Sequence, residues 1–270
     1  MNNIPYIPYT PSTERVLARR EGAALHIVFN NPAKHNALSV DMWGAVPALL
    51  AQAATDDDLR VVVFSGAGDK AFVSGADISQ FEDQRAAREA VARYEALAEE
   101  ALLAIEHSKK PTLASIDGYC IGGGVNVALA CDLRIASSRS TFAIPAARLG
   151  LGYRYSALKN LVDLVGVGAA KDLFLTARRI DAKEALRLGL ISRVADDLAA
   201  LQAEYVQAIS DNAPLTIRAA KVIIDQIVQP APTLDHALCT QLIQDCFQSA
   251  DYTEGRTAFM EKRKPVFKGR

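Results

Sequence analysis

The stretch that most constrains this chain is PTLASIDGYCIGGGVNVALACDLRIAS, residues 111–137. It opens with an apolar run at 112–116 that reads as a buried strand, closed by Asp117 and Gly118. Gly122, Gly123 and Gly124 follow, then an even apolar segment at 125–131 that reads as a short buried helix. Residues 133–136 look like a returning strand. Glycines directly before a buried helix let backbone N–H groups approach a ligand at the positive end of the helix dipole. Such a device holds negative charge on an oxygen. On the triplet alone, a tight strand-to-helix turn with no further role is an equal reading. A nucleotide-phosphate loop is disfavoured, because no Lys-Ser/Thr pair follows the glycines and the GxGxxG spacing is absent.

The same alternation of short strands and helices runs through much of the chain. Residues 1–13, with Pro5, Pro8 and Pro11, read as an extended tail. A hairpin is expected over 16–29, then a turn-rich loop, NNPAKHNAL, and a helix capped by Ser39. A buried strand at 59–64 leads to the segment AFVSGADI at 71–78, where a short strand stops at a glycine. A long helix is expected over 86–107, with Val91, Tyr94, Ala98, Ala101 and Ile105 as an ordinary core-packing face. Asp181 should cap a later helix. Beyond 197 only helical patterns and a basic tail remain. The division is therefore a tail at 1–13, an α/β core at 14–196 and a helical region at 197–270. Apolar positions in that last region (Tyr205, Ile209, Ile223, Ile227, Leu238, Leu242) have no strand layer of their own to cover, which points to self-association.

Half of the 270 residues are hydrophobic, enough to bury a full core. A formal net charge of -1 and a pI near 6.4 supply no long-range field for nucleic acid or a membrane surface. No apolar run approaches the ~20 residues of a membrane span. The N-terminus lacks a signal-peptide core, which gives a cytoplasmic expectation. Cys120, Cys131, Cys239 and Cys246 show no metal-binding spacing and read as reduced thiols.

Five blocks together resemble the enoyl-CoA hydratase/isomerase (crotonase) superfamily: NNPAKHNAL at 30–38, KAFVSGADI at 70–78, DGYCIGGGVNVALACD at 117–132, AKEALRLGLISRV at 182–194 and SADYTEGRTAFMEKRKPVF at 249–267. The resemblance implies an α/β spiral of repeated ββα units with a helical C-terminal oligomerisation region, assembled as a homotrimer or hexamer. It implies an acyl-CoA substrate and no separate cofactor, coenzyme A being part of the substrate. Lys34, His35, Ala37, Ala76, Asp77 and Ile78 would hold the CoA moiety, joined by Phe259 and Lys262 from the same or a neighbouring subunit. The N–H groups of Ala76 and Gly123 would form an oxyanion hole for a thioester enolate.

Hydratases of this family carry two glutamates, and the motifs place them at Asn126 and Ala146. Asn holds water but exchanges no proton near neutral pH, and Ala does neither. Hydration itself is therefore not expected to be efficient. Tyr153, in LGLGY at 149–153, resembles a tyrosine of the methylmalonyl-CoA decarboxylase branch, although that branch has His where this chain has Ala76. A lyase centred on Tyr153 and a non-catalytic CoA-binding member are the alternatives. Arg148 and Arg154 could face an acidic acyl substituent or serve structure, and Glu82 is a further candidate acid.

Overall fold

The computed structural model describes residues 9–77, 87–228 and 235–270. Ile78 and Glu82 lie outside the described residues. The hairpin forms as expected: β1 (Val16–Glu21) pairs antiparallel with β2 (Ala24–Phe29). After α1 (Val40–Thr55) the chain repeats one pattern, two short strands and then a helix. The units are β3 (Val61–Gly66), β4 (Ala71–Val73) and α2 (Ala87–Glu106); β5 (Thr112–Ile116), β6 (Tyr119–Ile121) and α3 (Gly123–Ala130); and β7 (Leu133–Ser137), β8 (Thr141–Ala143) and α4 (Ala146–Leu149).

The first strand of each unit joins a six-stranded sheet in the order β1-β2-β3-β5-β7-β10, where β10 is Arg193–Ala195. The second joins a four-stranded sheet, β4-β6-β8-β9, with β9 at Ile180–Asp181. Because successive units pair in parallel, each turn of chain stacks on the one before it and the path is a spiral. Such a spiral brings the ends of β4, β6 and β8 to one edge, and the candidate site forms there.

The core lies between the sheets and the helices, with Trp43, Phe29, Phe64, Phe72 and Phe142 fully buried. Phe29 meets Phe72 edge-on, with ring centroids 6.2 Å apart. Tyr9, at the end of the N-terminal tail, is buried and donates to Asp56 at 2.7 Å, so this part of the tail is anchored to the core.

Helix α5 (Tyr155–Thr176) breaks at Gly166, whose φ of 75° is open to glycine. Asp181 caps α6 (Ala182–Arg187) by accepting from the Glu184 N–H at 2.8 Å. The helical region comprises α7 (Leu198–Asp211), α8 (Pro214–Ile227), α9 (His236–Gln248) and α10 (Ala250–Glu261). Two readings of it need correction. The supposed basic tail is helical up to Glu261. Tyr205 and Ile209 do have a strand layer to cover: with Leu201 and Val206 they pack on Val61, Val63, Leu113 and Ile135 of the six-stranded sheet. The apolar stripe of α7 thus completes the core rather than standing apart from it. Exposed apolar side chains concentrate further on, at Ile227, Phe247, Phe259 and Met260.

Candidate active site

Two glycine-bearing loops meet at the sheet edge. After β4 the chain turns through Gly75, with φ at 120°, and Ala76 then bridges Leu38. The Leu38 N–H donates to the Gly75 carbonyl at 2.8 Å, and the Asp77 N–H donates to the Leu38 carbonyl at 2.8 Å. Alternate residues of an extended segment face opposite ways, so the N–H of Ala76 points away from Leu38. After β6, Gly122 adopts φ 53° and ψ −110° and starts α3. Gly123, the first residue of that helix, carries one of the N–H groups that lack an intrahelical acceptor. A Cβ on Gly123 would lie 3.7 Å from the Gly75 carbonyl carbon, so the two loops are in contact.

Gly124 has a packing reason to be glycine. A Cβ there would lie 2.3 Å from the carbonyl oxygen of Val73, closer than atoms can pack. The first turn of α3 therefore rests on the backbone of β4. Gly124→Ala should lose about 1–3 kcal/mol of stability through overpacking. Gly168→Ala, where nothing lies within 4 Å, is the control that should stay near neutral. Thermal unfolding of the two variants separates them.

Beside these loops lies a cavity of about 340 Å³. Ala76, Gly123, Asn126, Ala146 and Tyr153 all line it, so four catalytic candidates and the second vacant acid position share one space. Asn126 stands in the first turn of α3, and the Tyr153 hydroxyl donates to its Oδ1 at 2.9 Å. The Tyr153 ring packs edge-on against Phe174, with centroids 5.1 Å apart. Burial pushes the Tyr153 phenol up to about 12, and the negative charge of Glu95 adds to the rise. It therefore stays protonated at neutral pH and acts as a hydrogen-bond donor. Tyr94 is likewise buried in the wall beside Trp43, its phenol pushed up to about 12 by burial.

The loop candidates are organised by Asn36 and Asp77. Buried Asn36, at φ 56°, donates to the carbonyls of Ala67 and Ala71 at 2.9 and 2.7 Å. His35, also left-handed, meets the Tyr119 ring edge-on, and Ala37 is buried. Asp77 is buried and accepts from Lys34 Nζ at 2.9 Å, so Lys34 ties the two loops together. Phe259 and Lys262 are not brought to this cavity within the chain. Phe259 is exposed and lines a separate groove between α8 and α10, and Lys262 ends α10 in a left-handed conformation.

Two carboxylates that were not among the sequence candidates, Glu95 and Glu99, stand on α2. Tyr94, Glu95, Ala98, Glu99 and Leu102 line the cavity, so this face is not merely core packing, and Val91 is exposed. Arg154 reaches across and donates to Glu95 Oε2 through Nε and to Glu99 Oε2 through one terminal nitrogen, both at 3.0 Å. That guanidinium is thus committed to two carboxylates rather than left for an acidic acyl group. The signal available in sequence was the i, i+4 repeat of Glu95 and Glu99, which is indistinguishable from a solvated helix face.

Residues 19–270 match the sequence profile described as enoyl-CoA hydratase/isomerase. The chain is 33% identical over 251 residues to a short-chain-enoyl-CoA hydratase of Clostridium acetobutylicum, covering 92% of this chain and 95% of that protein. It is 32% identical over 272 residues to a peroxisomal Delta(3,5)-Delta(2,4)-dienoyl-CoA isomerase of Arabidopsis thaliana, covering 94% and 96%. A crystal structure of an enoyl-CoA hydratase/carnithine racemase from Magnetospirillum magneticum superposes with a TM-score of 0.91 at 32% identity, covering 97% of this chain and 98% of the other. Spiral, paired glycine loops and near-full-length similarity lead to one conclusion: the chain belongs to the enoyl-CoA hydratase/isomerase family.

Proposed function

We propose that this protein is an acyl-CoA thioester enzyme that stabilises a thioester enolate with the backbone N–H groups of Ala76 and Gly123, and that it works as a lyase or isomerase rather than as an efficient hydratase. The observation that carries the reading is the shared cavity. Ala76 and Gly123 line it from two touching loops, while the two acid positions lining the same cavity hold Asn126 and Ala146. A pair of fixed N–H donors gains most where charge develops on the thioester oxygen. The helix that starts at Gly123 adds its positive end.

The CoA moiety is assigned to the loop of Lys34, His35 and Ala37 and to Ala76, Asp77 and Ile78. The Lys34–Asp77 ion pair supports a preorganised loop. No cofactor enters, since coenzyme A travels with the substrate. Assembly as a homotrimer or hexamer belongs to the same reading, with the exposed apolar side chains of α8 to α10 as its support. In that assembly Phe259 and Lys262 would serve a neighbouring subunit's ligand.

A decarboxylase-like lyase centred on Tyr153 is less well served, because Arg154 is already paired with Glu95 and Glu99. The test is a panel of acyl-, enoyl- and malonyl-type CoA thioesters in deuterated water, read by mass spectrometry. Deuterium entering next to the thioester carbonyl supports the enolate. Loss of carbon dioxide from malonyl-type thioesters alone selects the decarboxylase. CoA binding with no turnover of any member leaves a binding protein and overturns the enzyme.

A further inference from the structure

Moving a proton at carbon beside a thioester requires a side chain that gives and takes protons near neutral pH. Asn126 and Ala146 cannot do so, and burial holds the phenols of Tyr94 and Tyr153 protonated. Among the described residues lining the cavity, the carboxylates are Glu95 and Glu99. They lie one turn apart on α2, on the face that also presents Tyr94 and Ala98 to the cavity.

The two are not equivalent. Glu99 is engaged at both oxygens: Oε1 accepts from Ser156 at 3.2 Å, and Oε2 accepts from Arg154 at 3.0 Å. Its side chain is 26% exposed, against 48% for Glu95. Glu95 receives one hydrogen bond, from Arg154 Nε to Oε2, so Oε1 has no donor among the described residues. Arg154 thereby orients the Glu95 carboxylate and leaves its second oxygen open. Glu95 is also the carboxylate whose charge acts most strongly on both cavity phenols.

We propose that Glu95, carried on α2 rather than at either of the two vacant acid positions, is the base of this active site, with Arg154 and Glu99 as its positioning residues. The inference rests on the enolate reading above. In the step, a lone pair on Glu95 Oε1 forms a bond to a proton on the acyl chain next to the thioester carbonyl. The electrons of that C–H bond become the enolate double bond, and the displaced carbonyl electrons settle on the thioester oxygen facing Ala76 and Gly123. The protonated Glu95 then returns its proton to carbon, at the same or a conjugated position, or exchanges it with water. Atoms and electrons balance with no co-reactant.

Three variants test it: Glu95→Gln, Glu99→Gln and Glu95→Asp, each checked for its unfolding midpoint and for CoA affinity by calorimetry. The readout is solvent deuterium incorporation into whichever thioester the wild type labels. Glu95→Gln should lower the labelling rate by at least about a hundredfold with CoA affinity unchanged. Glu99→Gln should lose much less, and Glu95→Asp should recover part of the rate. A folded Glu95→Gln variant that labels at the wild-type rate overturns the base and leaves the enolate reading standing. Equal losses in Glu95→Gln and Glu99→Gln, together with weakened CoA binding, also overturn it and make the cluster a structural clasp. A wild type that labels no thioester overturns both readings at once.

Discussion

Ala76→Pro should lower the rate of enolate formation by about 10²–10³ and leave the protein folded. The expectation follows from which backbone groups are occupied. The Leu38 segment is tied to this loop by bonds at Gly75 and Asp77, not at Ala76. Proline at 76 removes an N–H that the bridge does not use, so the change subtracts the proposed donor from the cavity while the pairing stays. The residue before it is Gly75, which tolerates the restriction that proline places on its predecessor better than any other residue. Ala76→Ser keeps the N–H and is the control for crowding at an exposed position. Deuterium labelling and thermal unfolding of the two variants decide the matter. A folded Ala76→Pro that labels at the wild-type rate removes this N–H from the oxyanion hole. If Ala76→Ser loses as much as Ala76→Pro, crowding and not the missing donor is responsible.

How far the site was legible in the sequence depended on whether each role is carried by backbone or by side-chain reach. Gly122 and Gly124 announce themselves because the fold disfavours anything larger there: the first needs a left-handed φ, and the second lies against the Val73 carbonyl. The vacancies at Asn126 and Ala146 were readable only through the resemblance to the family, whose motifs place its two glutamates at these positions. The Glu95–Arg154–Glu99 cluster was not. It joins residues 55 and 59 positions apart in the chain, and only the return of the chain from β8 across α2 brings them together. Charged residues at i, i+4 on a long helix have a solvent-facing explanation that sequence cannot distinguish from a cavity-facing one.

The helical region shows a second limit. Three of its helices, α7 to α9, were evident from their periodicity, but not which of them closes the core. Tyr205 and Ile209 carry the same apolar spacing as Ile223 and Ile227, yet α7 covers the six-stranded sheet while Ile227 remains 70% exposed. Periodicity gives the face of a helix and says nothing of its partner. The α10 helix was missed because its sequence, ADYTEGRTAFME, is polar nearly all round and its cap is a single serine. Ser249 accepts from the Tyr252 N–H at 3.1 Å and fixes that start.

The double variant Asn126→Glu plus Ala146→Glu should raise hydration of crotonyl-CoA by about 10²–10⁴, while either change alone should do much less. Both positions line the cavity, one in the first turn of α3 and one at the start of α4, so both new carboxylates would enter the same space. At 126 the carboxylate retains an acceptor for the Tyr153 hydroxyl, which now donates to Asn126 Oδ1 at 2.9 Å. At 146 the cost is greater, because Ala146 is 3% exposed and a carboxylate there must turn into the cavity to stay solvated. Addition of water needs one group to take a proton from it and another to deliver one to carbon, so one carboxylate without the other leaves half of the transfer unsupported. The measurement is the fall of enoyl thioester absorbance on hydration, with product mass confirmed. A wild type that already hydrates crotonyl-CoA at the rate of a relative with both glutamates shows that another residue carries the task, and sinks the argument from the vacancies. Adding Glu95→Gln to the double variant separates the two chemistries. If Glu95 serves enolate formation alone, hydration by the restored pair persists in its absence; if hydration collapses as well, the α2 carboxylate takes part in both.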